Sequence, residues 1–283
     1  MSNPFKVCSV VYGYAYEPHW RIMRDQLERQ LGSRLTVLDL QIDQKDLPAD
    51  DYTQLFEPKI RAWSSFLGEQ AEDQLVLFTD LDMLPAGDWA AGWDYPEPVV
   101  AIRSRPGSIN TGQLLVRNCP ASRNILHQLH QLMLGHNRPT HWDQLVREQY
   151  AGDQAALAWL LEQQTPGLAE VGEGLFNLCN AYDEWRTSRW IHIKSGLRVL
   201  VFDLDSQRYS QDKLGRIDRE LVEYCREAYR QGCPELWKEL EETVVYDRTK
   251  LVEEPKPPPK LKKVKKTKEP PTTRRMRSGR RRR

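Results

Sequence analysis

No stretch of this 283-residue chain approaches the 18 or more consecutive apolar residues of a membrane-spanning helix, and mean hydropathy is low at −0.67. The opening residues, MSNPFKVCSV, lack the basic flank and long apolar core of a secretory signal, so a cytoplasmic location is expected. Cysteine is scarce. The five present, Cys8, Cys119, Cys179, Cys225 and Cys233, include no C-x-x-C pair, which argues against a disulfide framework or a zinc site and for reduced, packed thiols. Internal repeats of solenoid length are also missing.

Net charge is nearly absent too, at +1, but the balance hides a division. Residues 254–283 carry 14 Lys+Arg against 2 Asp+Glu, which leaves 27 against 38 for residues 1–253. The tail also holds clustered prolines and few apolar side chains, so it cannot offset its ordering entropy and is expected to be disordered. The organisation expected is a catalytic domain over 1–208, a helical extension over 209–250 and a polybasic tail over 251–283.

What is present reads as alternating strand and helix, the pattern of an α/β fold with a mainly parallel sheet between helices. FKVCSVVYG, RLTVLDL and QLVLF read as strands. Between them, EPHWRIMRDQLERQLG spaces Trp20, Met23, Leu27 and Leu31 as a helix, and EPKIRAWSSFLGEQ reads as a second helix with Pro58 near its first turn. PVVAIRSR and TGQLLVRN follow as strands and ASRNILHQLHQLML as a helix, and DQAALAWLLEQQ is a short helix with Asp153 at its expected cap. WIHIKSGLRVLVFDL reads as two β-rich runs around Gly196, and two helices close the body.

The third strand delivers Asp80 and Asp82 in LVLFTDLDMLP, at the carboxyl end where ligands gather in such sheets. A second D-x-D, Asp203 and Asp205, follows a similar run in RVLVFDLDSQ. Two aspartates alone make a solvated strand end as readily as a metal site. Mg²⁺ or Mn²⁺ needs further hard donors and groups for a phosphorylated ligand. A phosphatase of the haloacid-dehalogenase type is excluded for the first pair, because Met83 and Leu84 stand where that chemistry needs Thr or Val.

Four further segments accompany the first pair in order: PKIRAW with Lys59, RSRPGSINTGQLLVRN with Asn110, Thr111 and Gly112, GDQAAL with Asp153, Gln154 and Leu157, and WIHIKSG with His192. Together these resemble the GT-A nucleotide-sugar glycosyltransferases, in particular the family-eight group of glycogenin and bacterial galactosyltransferases. The resemblance covers residues 6 to about 200. It implies a GT-A fold, a nucleoside-diphosphate sugar donor, most naturally a UDP-sugar, and Mn²⁺ or Mg²⁺ held by Asp80, Asp82 and His192. It further implies a donor site of Lys59, Asp80, Arg103, Asn110, Thr111 and Lys194, with Tyr14 or Tyr16, or Tyr12 beside them, stacking on the base. Asp153 and Gln154 would lie at the reaction centre, and hexose transfer would retain anomeric configuration; as a bland reading, Asp153 is simply a helix cap.

The chain departs from that group after His192, reading H-I-K-S-G-L-R without the expected Lys-Pro-Trp, so the cation for the β-phosphate is Lys194 or Arg198. Nothing after the second D-x-D resembles an N-T-G or D-Q element, which leaves Asp203 and Asp205 as strand-end or turn residues. The acceptor, whether glycan, lipid or protein, is unreadable. A competing expectation is an inactive GT-A-like body that contacts nucleic acid, or the inner face of an anionic membrane, through residues 256–283 without base readout.

Overall fold

Strand and helix alternate because apolar runs of period two give way to runs of period 3.6. The order begins β1 (Lys6–Val11), α1 (Pro18–Leu31), β2 (Leu35–Asp39), α2 (Tyr52–Gly68), β3 (Leu75–Thr79), β4 (Met83–Pro85), β5 (Val99–Arg105) and β6 (Ser108–Arg117). It continues with α3 (Pro120–Met133), α4 (Trp142–Gln149), α5 (Gly152–Glu162), β7 (Leu168–Gly172), β8 (Trp190–His192), α6 (Ser195–Phe202), α7 (Arg219–Gly232) and α8 (Pro234–Leu251). This computed structural model describes residues 5–11, 18–40, 42, 52–91, 93–105, 108–172, 182–204 and 214–251.

Six strands form one sheet in the order β2-β1-β3-β6-β5-β7. β1 is parallel to β2 and β3, and β5 to β7, whereas β6 runs antiparallel between β3 and β5. The α/β class with a mainly parallel sheet is therefore as expected. Burial on both faces explains why the strands read as nearly continuous apolar runs. On one face Cys8, Val76, Phe78 and Leu114 pack with Ile60 and Trp63 of α2, Ile125 and Leu129 of α3, and Ala155 and Leu157 of α5. On the other, Val7, Val11, Leu77 and Leu115 meet Leu27 and Leu31 of α1 and Met83 of β4.

β4 and β8 make a separate antiparallel ladder, with Met83 opposite His192. Behind it lies a third cluster, in which Ile22 and Met23 of α1, Leu84, Ile191, Leu197 and Phe202 pack with Leu221 and Cys225 of α7 and Trp237 of α8. The C-terminal helices thus back the ladder directly. No helix among the described residues is long and apolar enough to cross a membrane.

Three local expectations change. The second helix begins at Tyr52, so Pro58 lies inside it rather than in its first turn. The run after Gly196 is helix α6, not strand, and Asp203 is its left-handed C-cap at φ 53°. A short continuous apolar run fits a buried helix as well as a strand, and burial of Leu197, Val199, Val201 and Phe202 satisfies either periodicity. Asp153 is not the cap of α5: Ala151 is, and Asp153 stands in the first turn. Elements α4, β4 and β7 were not anticipated, and Tyr12, Tyr14, Tyr16, Cys179, Asp205 and the basic tail lie outside the described residues.

One titratable group in this core is set by its surroundings. His19 on α1 is 7% exposed and packs against the rings of Trp20 at 5.6 Å and Phe202 at 5.8 Å. Burial, helped by the Arg198 charge, pushes its pKa down from 6.5 to about 4. The unfolded chain therefore binds this proton first, so the stability present above pH 6.5 is lost as pH falls toward 4. His19→Phe is expected to flatten the difference in urea-unfolding free energy between pH 7 and pH 4.5 by roughly 1–2 kcal/mol.

Candidate metal centre

β3 ends at Thr79, and the chain turns through Asp80-Leu81-Asp82 directly into β4. Two short backbone bonds hold that turn. The Asp80 N–H donates to Gly112 O at 2.8 Å, and the Ile193 N–H donates to Asp82 O at 2.7 Å. The β4–β8 ladder brings His192 beside Asp82, with Nε2 3.1 Å from Asp82 Oδ1. One oxygen or nitrogen from each of Asp80, Asp82 and His192 lies within 4.8 Å of the others.

Hard carboxylate oxygens and an imidazole suit Mg²⁺ or Mn²⁺. The three residues sequence reasoning nominated as ligands are thus brought together, on a chemistry that fits a divalent cation. Asp82 and His192 are buried, while about a third of the Asp80 side chain stays open to solvent.

The N-T-G segment supports this cluster from β6. Pairing between β5 and β6 jumps from Ala101–Leu114 to Ile102–Asn110, so residues 111–113 form an irregularity in the ladder. Within it Asn110 Oδ1 accepts the Gly112 N–H at 2.6 Å, and its Nδ2 faces His192 Nδ1 at 3.4 Å. A Cβ on Gly112 would sit 2.7 Å from both Asn110 Oδ1 and His192 Cε1. Glycine is required there by close approach alone.

On the other side of Asp80 stands Lys59, 3% exposed. Its ammonium lies 3.1 Å from Asp80 Oδ1 and 3.0 Å from Asp153 Oδ2, donates to Thr111 O at 3.3 Å, and rests 4.7 Å from the Trp63 ring centroid. Asp153 is 1% exposed and also accepts the Thr111 hydroxyl at 2.7 Å and the Gln154 N–H at 2.9 Å. Lys59, Thr111 and Asp153 therefore form one buried network with the metal cluster.

Electrostatics follow from this packing. Burial alone would lower the Lys59 pKa, but Asp153 and then Asp80 outweigh it and raise it, so the ammonium stays charged. Burial raises the Asp80 carboxyl, with Asp82 adding to it, against the opposing pull of Lys59; the open third of the side chain limits the rise. At Asp82 burial is overcome by His192, Arg198 and Lys194, and the carboxyl is held below its usual range.

The remaining nominees fall in different places. Lys194 is the N-cap of α6, and its N–H donates to His192 O at 2.9 Å. Arg198, the alternative cation, reaches Asp82 Oδ2 at 3.5 Å while stacking on Trp20 at 4.8 Å. The Gln154 side-chain amide faces the backbone carbonyls of Gln149 and Ile109, so its nitrogen is assigned to that side, 3.0 Å from Gln149 O. Arg103 forms a two-pronged pair with Glu170 on β7. Sequence reasoning missed Trp20, whose role as a platform for Arg198 has no signal beyond its place in an amphipathic helix.

No family model and no curated protein matches the chain. Several solved structures similar to the chain are glycosyltransferases. One involved in glycosylation of the major capsid of PBCV-1 is 13% identical, with TM-score 0.48, covering 68% of this chain and 94% of its own. The galactosyltransferase LgtC, in complex with donor and acceptor sugar analogs, is 12% identical, with TM-score 0.48 and coverage of 83% and 100%. Apo GlyE from Streptococcus pneumoniae TIGR4 is 17% identical, with TM-score 0.45 and coverage of 86% and 64%. At these values the likeness carries no argument, and the chemistry of the site rests on its own residues.

Two substitutions test the arrangement. Lys59→Met strands two carboxylates and is expected to cost about 3–5 kcal/mol in urea unfolding. Gly112→Ala forces Asn110 and His192 apart and is expected to weaken Mn²⁺ binding at least tenfold by calorimetric titration, with the far-UV dichroism of the parent.

Proposed function

We propose that this protein is a metal-dependent glycosyltransferase of GT-A architecture that moves a hexose from a nucleoside-diphosphate sugar, most naturally a UDP-sugar, to an acceptor with retention. The observation that carries this reading is the direct join between a divalent-cation ligand set, Asp80, Asp82 and His192, and the buried Lys59–Asp153–Thr111 network. A cation-binding cluster alone is generic. A cluster whose carboxylate shares an ammonium with a second, fully enclosed carboxylate is suited to a polyanionic, hydroxyl-bearing ligand.

Departure of a nucleoside diphosphate concentrates negative charge on its terminal phosphate, and a bound Mn²⁺ or Mg²⁺ supplies Lewis acidity there. Asp80, Asp82 and His192 would hold that ion. Arg198 and Lys194, both near Asp82, would add positive charge for the same phosphate. Lys59 keeps Asp80 and Asp153 oriented, and the buried Asp153, Thr111 and Asn110 hold the irregular stretch of β6 and the His192 ring in position beside the ion site. Tyr14 and Tyr16 remain the nominees for stacking on the base.

Gln154 follows Asp153 in the first turn of α5. An amide is neither a strong base nor a ready nucleophile, so a site centred on Gln154 favours transfer on the face the diphosphate leaves, with the enzyme contributing position and fixed charge. Arg103 is left out of this donor set because Glu170 engages its guanidinium.

Thermal-shift screening of UDP- and GDP-sugars against the full chain, with and without Mn²⁺, is expected to show a stabilisation that needs both ligand and metal. The same pair should release nucleoside diphosphate. Asp82→Asn is expected to lower that rate at least a hundredfold, about 2.7 kcal/mol of barrier, without unfolding the protein. No shift with any donor, alongside gel retardation of RNA or binding to anionic vesicles, would replace catalysis by a binding role.

A further inference from the structure

Both carboxylate oxygens of Asp82 are engaged by protein groups. His192 Nε2 stands 3.1 Å from Oδ1 and the Arg198 guanidinium 3.5 Å from Oδ2, so a cation that takes either oxygen competes with one of them. Arg198 is the one able to yield. Its contact is the longer and 27% of its side chain is open to solvent, whereas His192 is held in the β4–β8 ladder with 7% open. A second support for the guanidinium is already in place, because the Trp20 ring lies under it at 4.8 Å. Trp20 in turn packs against the clusters behind the ladder and behind the sheet, and its neighbour His19 meets Phe202 at the far end of α6. Platform and helix are thus fixed to each other.

The formal charges around the cluster also balance among themselves. The carboxylates of Asp80, Asp82 and Asp153 face the cations of Lys59, Lys194 and Arg198. A bare divalent cation would leave this largely buried group with uncompensated positive charge, which is costly. A cation that arrives with a diphosphate brings its own compensation. We propose that Arg198, carried on Trp20, makes this centre take its divalent cation together with a diphosphate rather than alone; the proposal rests on the metal-dependent transferase reading above. The guanidinium yields Asp82 Oδ2 and offers its donors to phosphate oxygens, and Trp20 is the positioning residue that keeps it within reach. A planar, weakly hydrated guanidinium suits both tasks, since it lies flat on an indole and forks onto phosphate, whereas an ammonium does neither as well. Lys194 supplies the matched comparison, because its charge acts on Asp82 without an ion pair among the described residues.

Full-length protein is titrated calorimetrically with Mn²⁺ alone, with inorganic pyrophosphate alone and with the preformed Mn²⁺–pyrophosphate complex, which needs no sugar transfer. The parent is expected to bind the complex at least about tenfold more tightly than either component. In Arg198→Gln, Mn²⁺ alone is expected to bind about threefold more tightly and the complex about tenfold more weakly. Lys194→Gln removes the same charge and is expected to move binding of Mn²⁺ alone by no more than about 1.5-fold. In fluorine NMR of fluorotryptophan-labelled protein, the Trp20 line, assigned by its loss in Trp20→Phe, is expected to move with Mg²⁺–pyrophosphate and to stay in place with Mg²⁺ alone. If Arg198→Gln fails to fold, Arg198→Lys decides, with an expected loss of about threefold for the complex. Unchanged or weaker binding of Mn²⁺ alone in Arg198→Gln, an equal gain in Lys194→Gln, or a Trp20 line that ignores the complex overturns the proposal. Arg198-dependent uptake of the complex with no response to any nucleotide sugar keeps this role and overturns the transferase. A nucleotide-sugar response that Arg198→Gln leaves intact does the reverse.

Discussion

The ammonium of Lys59 is the constraint on which the site depends. A buried cation is tolerated only when charge and hydrogen bonds surround it, and here Asp80, Asp153 and the Thr111 carbonyl do so while Trp63 covers one side. Those partners come from three separate places: the end of β3, the first turn of α5 and the irregular stretch of β6. One charge therefore fixes the mutual position of elements that strand pairing alone leaves free to shift. Trp63 links this constraint to the apolar core, since it also stacks on Phe78 of β3 at 4.9 Å.

The fold was largely legible because strands buried on both faces announce themselves as short apolar runs, and α1 and α3 keep a clear helical spacing. Where the reading failed, two signals coincided. The run Leu197 to Phe202 is apolar enough to serve as strand or helix, and only its packing against α7 chooses helix. β4 spans three residues, too short for periodicity to register, although its ladder with β8 holds the candidate metal cluster together. α4 escaped notice because the amphipathic face of WDQLVREQ is brief and is flanked by polar residues.

The site divides along the same line. Asp80, Asp82, Asn110, Asp153 and His192 were nominated because each belongs to a short motif whose order in the chain carries information, and folding brings them together. Arg103 was nominated by the same logic, but proximity in sequence to N-T-G does not show which strand its side chain will grip, and its partner Glu170 on β7 has no local marker. Capping chemistry misled in a similar way at Asp153, whose side chain faces inward to Lys59 while Ala151 occupies the cap.

The cluster is also divided in sequence: two of its side chains sit at residues 80 and 82, the third at 192. β8 carries that third group and is backed by α6, α7 and Trp237 of α8. During synthesis from the N-terminus, the first sheet strands emerge well before the imidazole and its supporting helices exist. An emerging chain thus holds only the two carboxylates of the three-residue set. The full set of three candidate ligands comes together only when the C-terminal helices dock, so an ion held by all three would report that the body is finished.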